Sequence, residues 1–114
     1  IIKKKRTNKK YQLLNIKEDK LNILVTGAAG FIGMHVSKKM IDLNFNVVGL
    51  DNLNNYYDVN LKKNRIKYLR SLSNKFSFLK IDIEDKKSLS KCFNENNIDV
   101  VINLAAQAGV RYSI

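Results

Sequence analysis

Residues 21–33 read Leu21-Asn22-Ile23-Leu24-Val25-Thr26-Gly27-Ala28-Ala29-Gly30-Phe31-Ile32-Gly33. An apolar run stops at three glycines spaced three apart, and an amphipathic pattern begins directly after them. A buried strand leading into a helix leaves this trace when the turn between them must hold a phosphate. Gly27 permits the tight turn, and Gly30 lets backbone approach a pyrophosphate with no Cβ in the way. Gly33 lets the helix lie close against the strand. The amides of the first helical turn and the positive end of the helix dipole then face the anion.

Outward from this turn the pattern continues. Ile32, Val36, Met40 and Leu43 recur at spacings of four, four and three, which predicts one apolar stripe on a helix of about three turns. Asn46-Val47-Val48-Gly49-Leu50-Asp51 follows as a short apolar strand ending in a carboxylate, 24 positions after Gly27. The acid that grips an adenosine ribose is expected about 20 residues on from such a glycine. Strand, glycine turn, helix, strand and acid occur in that order, which favours a dinucleotide site over a tight turn with no ligand.

The alternation then repeats. Asn60 to Leu72 reads as a helix, with Leu61, Ile66, Leu69 and Leu72 on one side and Lys62, Lys63, Arg65 and Lys67 in solvent. Phe76 to Ile83 reads as a third strand, Asp85 as the cap of a helix through about Asn96, and Asp99 to Leu104 as a fourth strand. That second helix would bury Leu89, Cys92 and Phe93. Ala105-Ala106-Gln107-Ala108-Gly109 is a small-residue turn. Strands separated by helical crossovers imply an α/β fold with a parallel sheet, and right-handed connections put the helices on both faces. The expected architecture is the amino-terminal part of a doubly wound, Rossmann-type domain of strand order 3-2-1-4, its glycine turn at the switch point between strands 1 and 4. Strand 4 is then expected to be a bare edge.

Bulk properties narrow the class. At 114 residues the chain is one domain or less, with 45% apolar residues and no run long enough to span a membrane. The basic start lacks an apolar segment and cleavage site, so no secretory signal is read. A single cysteine, Cys92, excludes an internal disulfide framework and fits a reducing cytoplasm; on an amphipathic segment beside Phe93 it reads as an inert core thiol. His35 lies off the apolar stripe with no second His or nearby Cys, so it reads as a surface residue and no metal site is expected. The net charge is +11, of which +6 falls in residues 1–20 (eight basic, two acidic) and +5 in residues 21–114. Such a tail can be a nucleic-acid arm. With Tyr11 its only aromatic, it reads better as a solvated, disordered extension ahead of the folded unit at 21–114, with no nucleic-acid or membrane partner. A start at Ile rather than Met leads to the expectation that sequence is missing or processed upstream. A stop at Ile114, inside the expected next helix, leads to the expectation that the chain is the first part of a larger enzyme.

At this point the residues are familiar. Val25 to Gly33 resembles the cofactor motif of the extended short-chain dehydrogenase/reductase family, which includes NAD-dependent sugar-nucleotide epimerases and dehydratases. Gly49 to Lys62, with Asn52-Leu53-Asn54-Asn55-Tyr56-Tyr57-Asp58 at its centre, is similar to the second strand and loop of UDP-glucuronate 4-epimerases. Asn103-Leu104-Ala105-Ala106-Gln107-Ala108-Gly109-Val110-Arg111-Tyr112-Ser113 is similar to their fourth strand and substrate-side turn. The resemblance covers residues 21–114. It implies NAD as cofactor, with Gly27, Ala29, Gly30, Phe31, Ile32 and Gly33 along the cofactor. Asp51 would sit on the ribose hydroxyls, where its charge would disfavour a 2′-phosphate, and Asn52 and Asn54 would line the same pocket. Asp82 and Ile83 would border the adenine, Asp82 otherwise being a turn cap. Leu104, Ala105 and Ala106 would pass beneath the cofactor, and Gln107, Gly109, Val110 and Arg111 would face the sugar nucleotide. Arg111 suits a phosphate or carboxylate, its other reading being an exposed helical Arg. Many relatives carry His at the position of Asn103.

The family's activity also implies a Tyr made acidic by a Lys four residues later, with hydride passing between sugar C4 and NAD through a 4-keto sugar. Four residues after Tyr11, Tyr56, Tyr57 and Tyr68 stand Asn15, Asn60, Leu61 and Leu72, and Tyr112 lies too near Ile114 for the spacing to be read, so no such pair is found and no catalytic residue is assigned. The expectation is the NAD-binding portion of a UDP-glucuronate 4-epimerase, acting on a UDP-sugar and homodimeric when complete. A dehydratase or decarboxylase of the same superfamily, or a non-catalytic dinucleotide-binding protein, is the alternative.

Overall fold

The apolar runs within Asn22–Thr26 and Asn46–Asp51 have no polar face, which suits strands covered on both sides. In the computed structural model, which describes residues 2–4, 21–54 and 58–105, these two strands lie side by side in the interior of a five-stranded sheet. The elements are β1 (Ile2–Lys4), β2 (Asn22–Thr26), α1 (Phe31–Asp42), β3 (Asn46–Asp51), α2 (Val59–Leu72), β4 (Phe76–Lys80), α3 (Lys86–Asn96) and β5 (Val100–Asn103). The strand order is β1-β5-β2-β3-β4, and β2 to β5 run parallel in it. Counting β2 as the first strand of the motif, this is the predicted order 3-2-1-4.

Alternate residues of each strand feed two separate cores. Ile23, Val25 and Val47 pack with Ile41, Ile66, Leu69 and Phe76 on the face that carries α1 and α2. Leu24, Val48 and Leu50 pack with Cys92 and Ile98 on the face that carries α3, against which half-buried Leu89 and Phe93 also lie. Burial pushes the Cys92 thiol up, away from the reactive thiolate. Helix ends follow local chemistry. Asn44 and Asn97 take left-handed conformations (φ 72° and 48°) just beyond α1 and α3, where the short amide side chain tolerates that geometry.

Four details differ from the sequence reading. The buried face of α1 is Gly33, Ser37 and Ile41, while Ile32 and Leu43 are exposed. Small residues win that face because the helix rides close to the sheet. On α2, Leu61 faces solvent and Lys62 is buried, with Ile66 and Leu69, because Lys62 finds a carboxylate inside. The edge of β5 is not bare: β1 pairs with it antiparallel, Ile2 opposite Ile102 and Lys4 opposite Val100. Three residues of the expected extension thus satisfy backbone groups that a bare edge would leave to water or to another chain. The third and fourth strands are also shorter than expected, ending at Lys80 and spanning Val100–Asn103.

Two outcomes follow for stability. Ser37 Oγ is fully buried with no hydrogen-bond partner among the described residues. Since an unsatisfied buried hydroxyl costs about 1–3 kcal/mol, Ser37→Ala should keep or raise the thermal midpoint; a clear fall would mean that the hydroxyl has a partner. Asp85 caps α3 by accepting from the Ser88 hydroxyl (2.7 Å) and amide (3.1 Å), which hold its carboxyl below its ordinary value. A carboxyl lowered on folding stabilises fully above its unfolded value and loses that contribution as pH falls through the folded one. Asp85→Ala should therefore lower the thermal midpoint at neutral pH and cost progressively less below about pH 4.

Candidate functional site

The glycine turn sits at the carboxyl ends of β2 and β5, where the chain direction of the sheet's connections switches. Gly27 leaves β2 with φ 72°, and a Cβ there would stand 2.8 Å from the carbonyl carbon and oxygen of Leu104. A Cβ on Gly33 would lie 1.9 Å from the Gly27 carbonyl oxygen, inside any real contact. Helix and turn therefore touch backbone to backbone. Gly30 is the N-cap of α1 and has no side chain with which to cap it. Its own amide donates to the Gly27 carbonyl (3.1 Å). The amides of the first turn have no intrahelical acceptor. Phe31 and Ile32 stand beside them 64% and 63% exposed, large apolar side chains left open at the mouth of an electropositive helix end.

Asp51, the last residue of β3, closes one wall. Its Oδ2 accepts from the Ala29 amide (3.1 Å) and its Oδ1 from the Leu53 amide (2.8 Å). Leu53 itself is left-handed (φ 53°), a conformation that costs a leucine about 1–2 kcal/mol and that the carboxylate bond holds in place. Asn52 Oδ1 accepts from the Asn54 amide (3.0 Å). Asp51 is buried and lies 3.7 Å from Lys62 Nζ, which also donates to Asn54 Oδ1 (3.3 Å). The Asp51 carbonyl accepts from Ile81 (3.2 Å), so the segment with Asp82 and Ile83 is tied to the same wall. Asp82 is exposed, just past the end of β4, and its Oδ1 accepts from the Glu84 amide (2.9 Å), the turn-capping bond open to it from the sequence.

The opposite wall is the end of β5. Thr26 Oγ1 donates to Asn103 Oδ1 and accepts from the amides of Leu104 (3.0 Å) and Ala105 (3.2 Å). This knot draws Leu104 and Ala105 beneath Gly27. The structure thus brings together Gly27, Ala29, Gly30, Phe31, Ile32, Gly33, Asp51, Asn52, Asn54, Asp82, Ile83, Leu104 and Ala105 at one edge. Ala106, Gln107, Gly109, Val110, Arg111 and the Tyr56-Tyr57 pair lie outside the described residues.

Three side chains at this edge were not singled out from the sequence. Thr26 hides in an ordinary β-strand run. Arg65, half-buried, donates from Nη1 to the Ala29 carbonyl (3.1 Å) and stands 5.9 Å from the Phe31 ring centre. Lys62 carried a usable signal: it lies four residues before Ile66 and seven before Leu69, in phase with the buried face. His35, by contrast, is exposed on α1 as expected, its Nδ1 3.0 Å from the Phe31 carbonyl oxygen.

Comparison with known proteins agrees with this geometry. A family model described as GDP-mannose 4,6 dehydratase matches residues 24–114. The chain belongs to that family, the sugar-nucleotide epimerases and dehydratases of the extended short-chain dehydrogenase/reductase type. Among its relatives, Protein CapI of Staphylococcus aureus is 49% identical over 94 residues, which are 82% of this chain and 28% of that protein. A probable UDP-glucuronate 4-epimerase of Rhizobium meliloti is 46% identical, over 82% of this chain and 27% of its own length. A UDP-glucuronic acid 4-epimerase mutant of Bacillus cereus, solved with UDP-4-deoxy-4-fluoro-glucuronic acid and NAD, superposes with a TM-score of 0.68 at 41% identity. That match covers 82% of this chain and 29% of the solved one. The chain therefore spans little more than a quarter of the length of these relatives. Among the described residues no helix is long and apolar enough to cross a membrane.

The turn makes a sharp packing forecast. Gly33→Ala should destroy or severely destabilise the fold, because its methyl meets fixed backbone at 1.9 Å. Gly30→Ala, whose nearest contact would be 3.3 Å, should lower the thermal midpoint far less. Equal losses in thermal unfolding would mean that α1 can slide away from the turn.

Proposed function

We propose that this chain is the NAD-binding amino-terminal portion of a UDP-glucuronate 4-epimerase. The observation that carries the reading is the direct bond from the Ala29 amide to Asp51 Oδ2, which joins the anion-holding turn and the ribose acid into one site. The residues fit a dinucleotide. Gly30 leaves the first-turn amides of α1 uncapped, and no Cβ fills the approach to them. The pyrophosphate would lie on those amides beside Ala29, Phe31 and Ile32. Asp51 would accept from the ribose hydroxyls, with Asn52 and Asn54 along the same wall. Asp82 and Ile83 would border the adenine. Leu104, Ala105 and Ala106 would run under the cofactor towards its nicotinamide end, where their small size allows close approach.

When bound, NAD supplies the hydride acceptor and donor needed to invert the sugar at C4. Gln107, Gly109, Val110 and Arg111 would face the UDP-sugar, the guanidinium of Arg111 matching a phosphate or the glucuronate carboxylate. The proton chemistry belongs to a Tyr and Lys that this sequence does not pair, so those groups come from the remainder of a protein several times this length. Homodimerisation and a cytoplasmic setting are part of the same reading. The names of the relatives, epimerases acting on UDP-glucuronate, favour epimerisation; the description of the matching family favours a dehydratase as the second reading.

The protein as encoded should interconvert UDP-glucuronate and UDP-galacturonate, followed by chromatography or NMR of the sugar nucleotides. The 114 residues alone should show no turnover. Asp51→Ala should weaken NAD binding by at least about tenfold, the loss expected for one charge-assisted hydrogen-bonding group. A 4-keto-6-deoxy product would instead select the dehydratase, and failure to bind NAD would reject both.

A further inference from the structure

The glycine turn is gripped by α2 as well as by β3. The peptide that joins Ala29 to Gly30 has its carbonyl on Arg65 Nη1 (3.1 Å) and its amide on the Gly27 carbonyl (3.1 Å). The preceding peptide has its amide on Asp51 Oδ2 (3.1 Å). Because a peptide is planar, fixing its oxygen and its N–H fixes its plane, and with it the two torsions on either side. Gly30 would otherwise leave that peptide freer than any other residue could. Its orientation decides where the following amides of α1 point.

One turn back on the same face of α2, Lys62 holds the acid. Its ammonium lies 3.7 Å from Asp51 Oδ1, and both side chains are under a tenth exposed. It also donates to Asn54 Oδ1 (3.3 Å), so one cation bridges the last residue of β3 and the loop that follows it. Residues 62 and 65 are three apart, neighbours on a helix surface. A buried ammonium this close offsets much of the negative charge that Asp51 would otherwise turn towards the ribose.

We propose that Lys62 and Arg65 are positioning residues for the dinucleotide. Arg65 locks the phosphate turn through the Ala29 carbonyl, and Lys62 holds Asp51 and moderates its rejection of a 2′-phosphate. The inference rests on the NAD reading above. It makes affinity depend on two α2 side chains that the sequence reading leaves in solvent, by lowering the ordering that binding must otherwise impose.

The test measures NAD and NADP dissociation constants and the ligand-free thermal midpoint in the protein as encoded. Arg65→Met should weaken NAD and NADP alike by about tenfold, and Arg65→Lys, which keeps one charged donor, should recover most of the loss. Lys62→Met should cut NADP affinity more than NAD affinity, raising the NAD preference by about fivefold or more, whereas Lys62→Arg should keep the wild-type ratio. If Lys62→Met does not fold, Lys62→Gln carries the same measurement. Arg65→Met binding NAD like the wild type, no rescue by Arg65→Lys, or an unchanged NAD-to-NADP ratio on loss of the Lys62 charge would overturn the proposal. Wild-type protein that binds neither dinucleotide would reject the NAD reading itself, before any variant is compared.

Discussion

The close approach of Gly33 to the Gly27 carbonyl governs this structure. A methyl group at position 33 would fall 1.9 Å from that oxygen, so α1 can sit where it does only with hydrogen on its inner face. Ser37, next along the face, is also small and fully buried. With the helix seated so low, its amino end opens directly onto the carboxyl edge of β2. Every other site residue is arranged around that opening.

Two hydrogen-bonded seams hold the opening in shape. On the β5 side, the Thr26 hydroxyl gives its proton to Asn103 and takes the amides of Leu104 and Ala105. One small side chain thereby fixes where the fourth strand of the motif stops and how the chain passes under Gly27. On the β3 side, the Asp51 carboxylate takes the amides of Ala29 and Leu53 and faces the Lys62 ammonium. Asp51 is thereby anchored directly to the glycine turn. A buried carboxylate without such partners would carry a large desolvation cost.

Much of this was legible in residue order. The three glycines, the acid at Asp51 and the strand–helix alternation gave the parallel sheet and its order without any coordinates, because turn geometry and both-face burial leave few alternatives. Asp85 was legible as a cap, since an N-cap bond spans only three residues. The reading failed where the outcome depended on how one element meets another. A stripe through Ile32 and Leu43 satisfies helical periodicity as well as one through Gly33, Ser37 and Ile41, yet only the second lets α1 lie on the turn. Placing Lys62 in solvent follows the usual habit of lysine. It is reversed here by a carboxylate that arrives from another strand.

The sequence by itself thus determined the class of fold and the place of the glycine turn, both set by local spacing, while the likeness of its motifs pointed to the family. Only the tertiary structure decided which face of each helix is inward, that β1 covers the edge of β5, and that Lys62 and Arg65 reach the glycine turn and its acid. The physical reason is range. Turns, caps and periodicity are fixed within a few residues, whereas ion pairs and close backbone contacts join positions far apart in the chain and exist only once the sheet has brought them together.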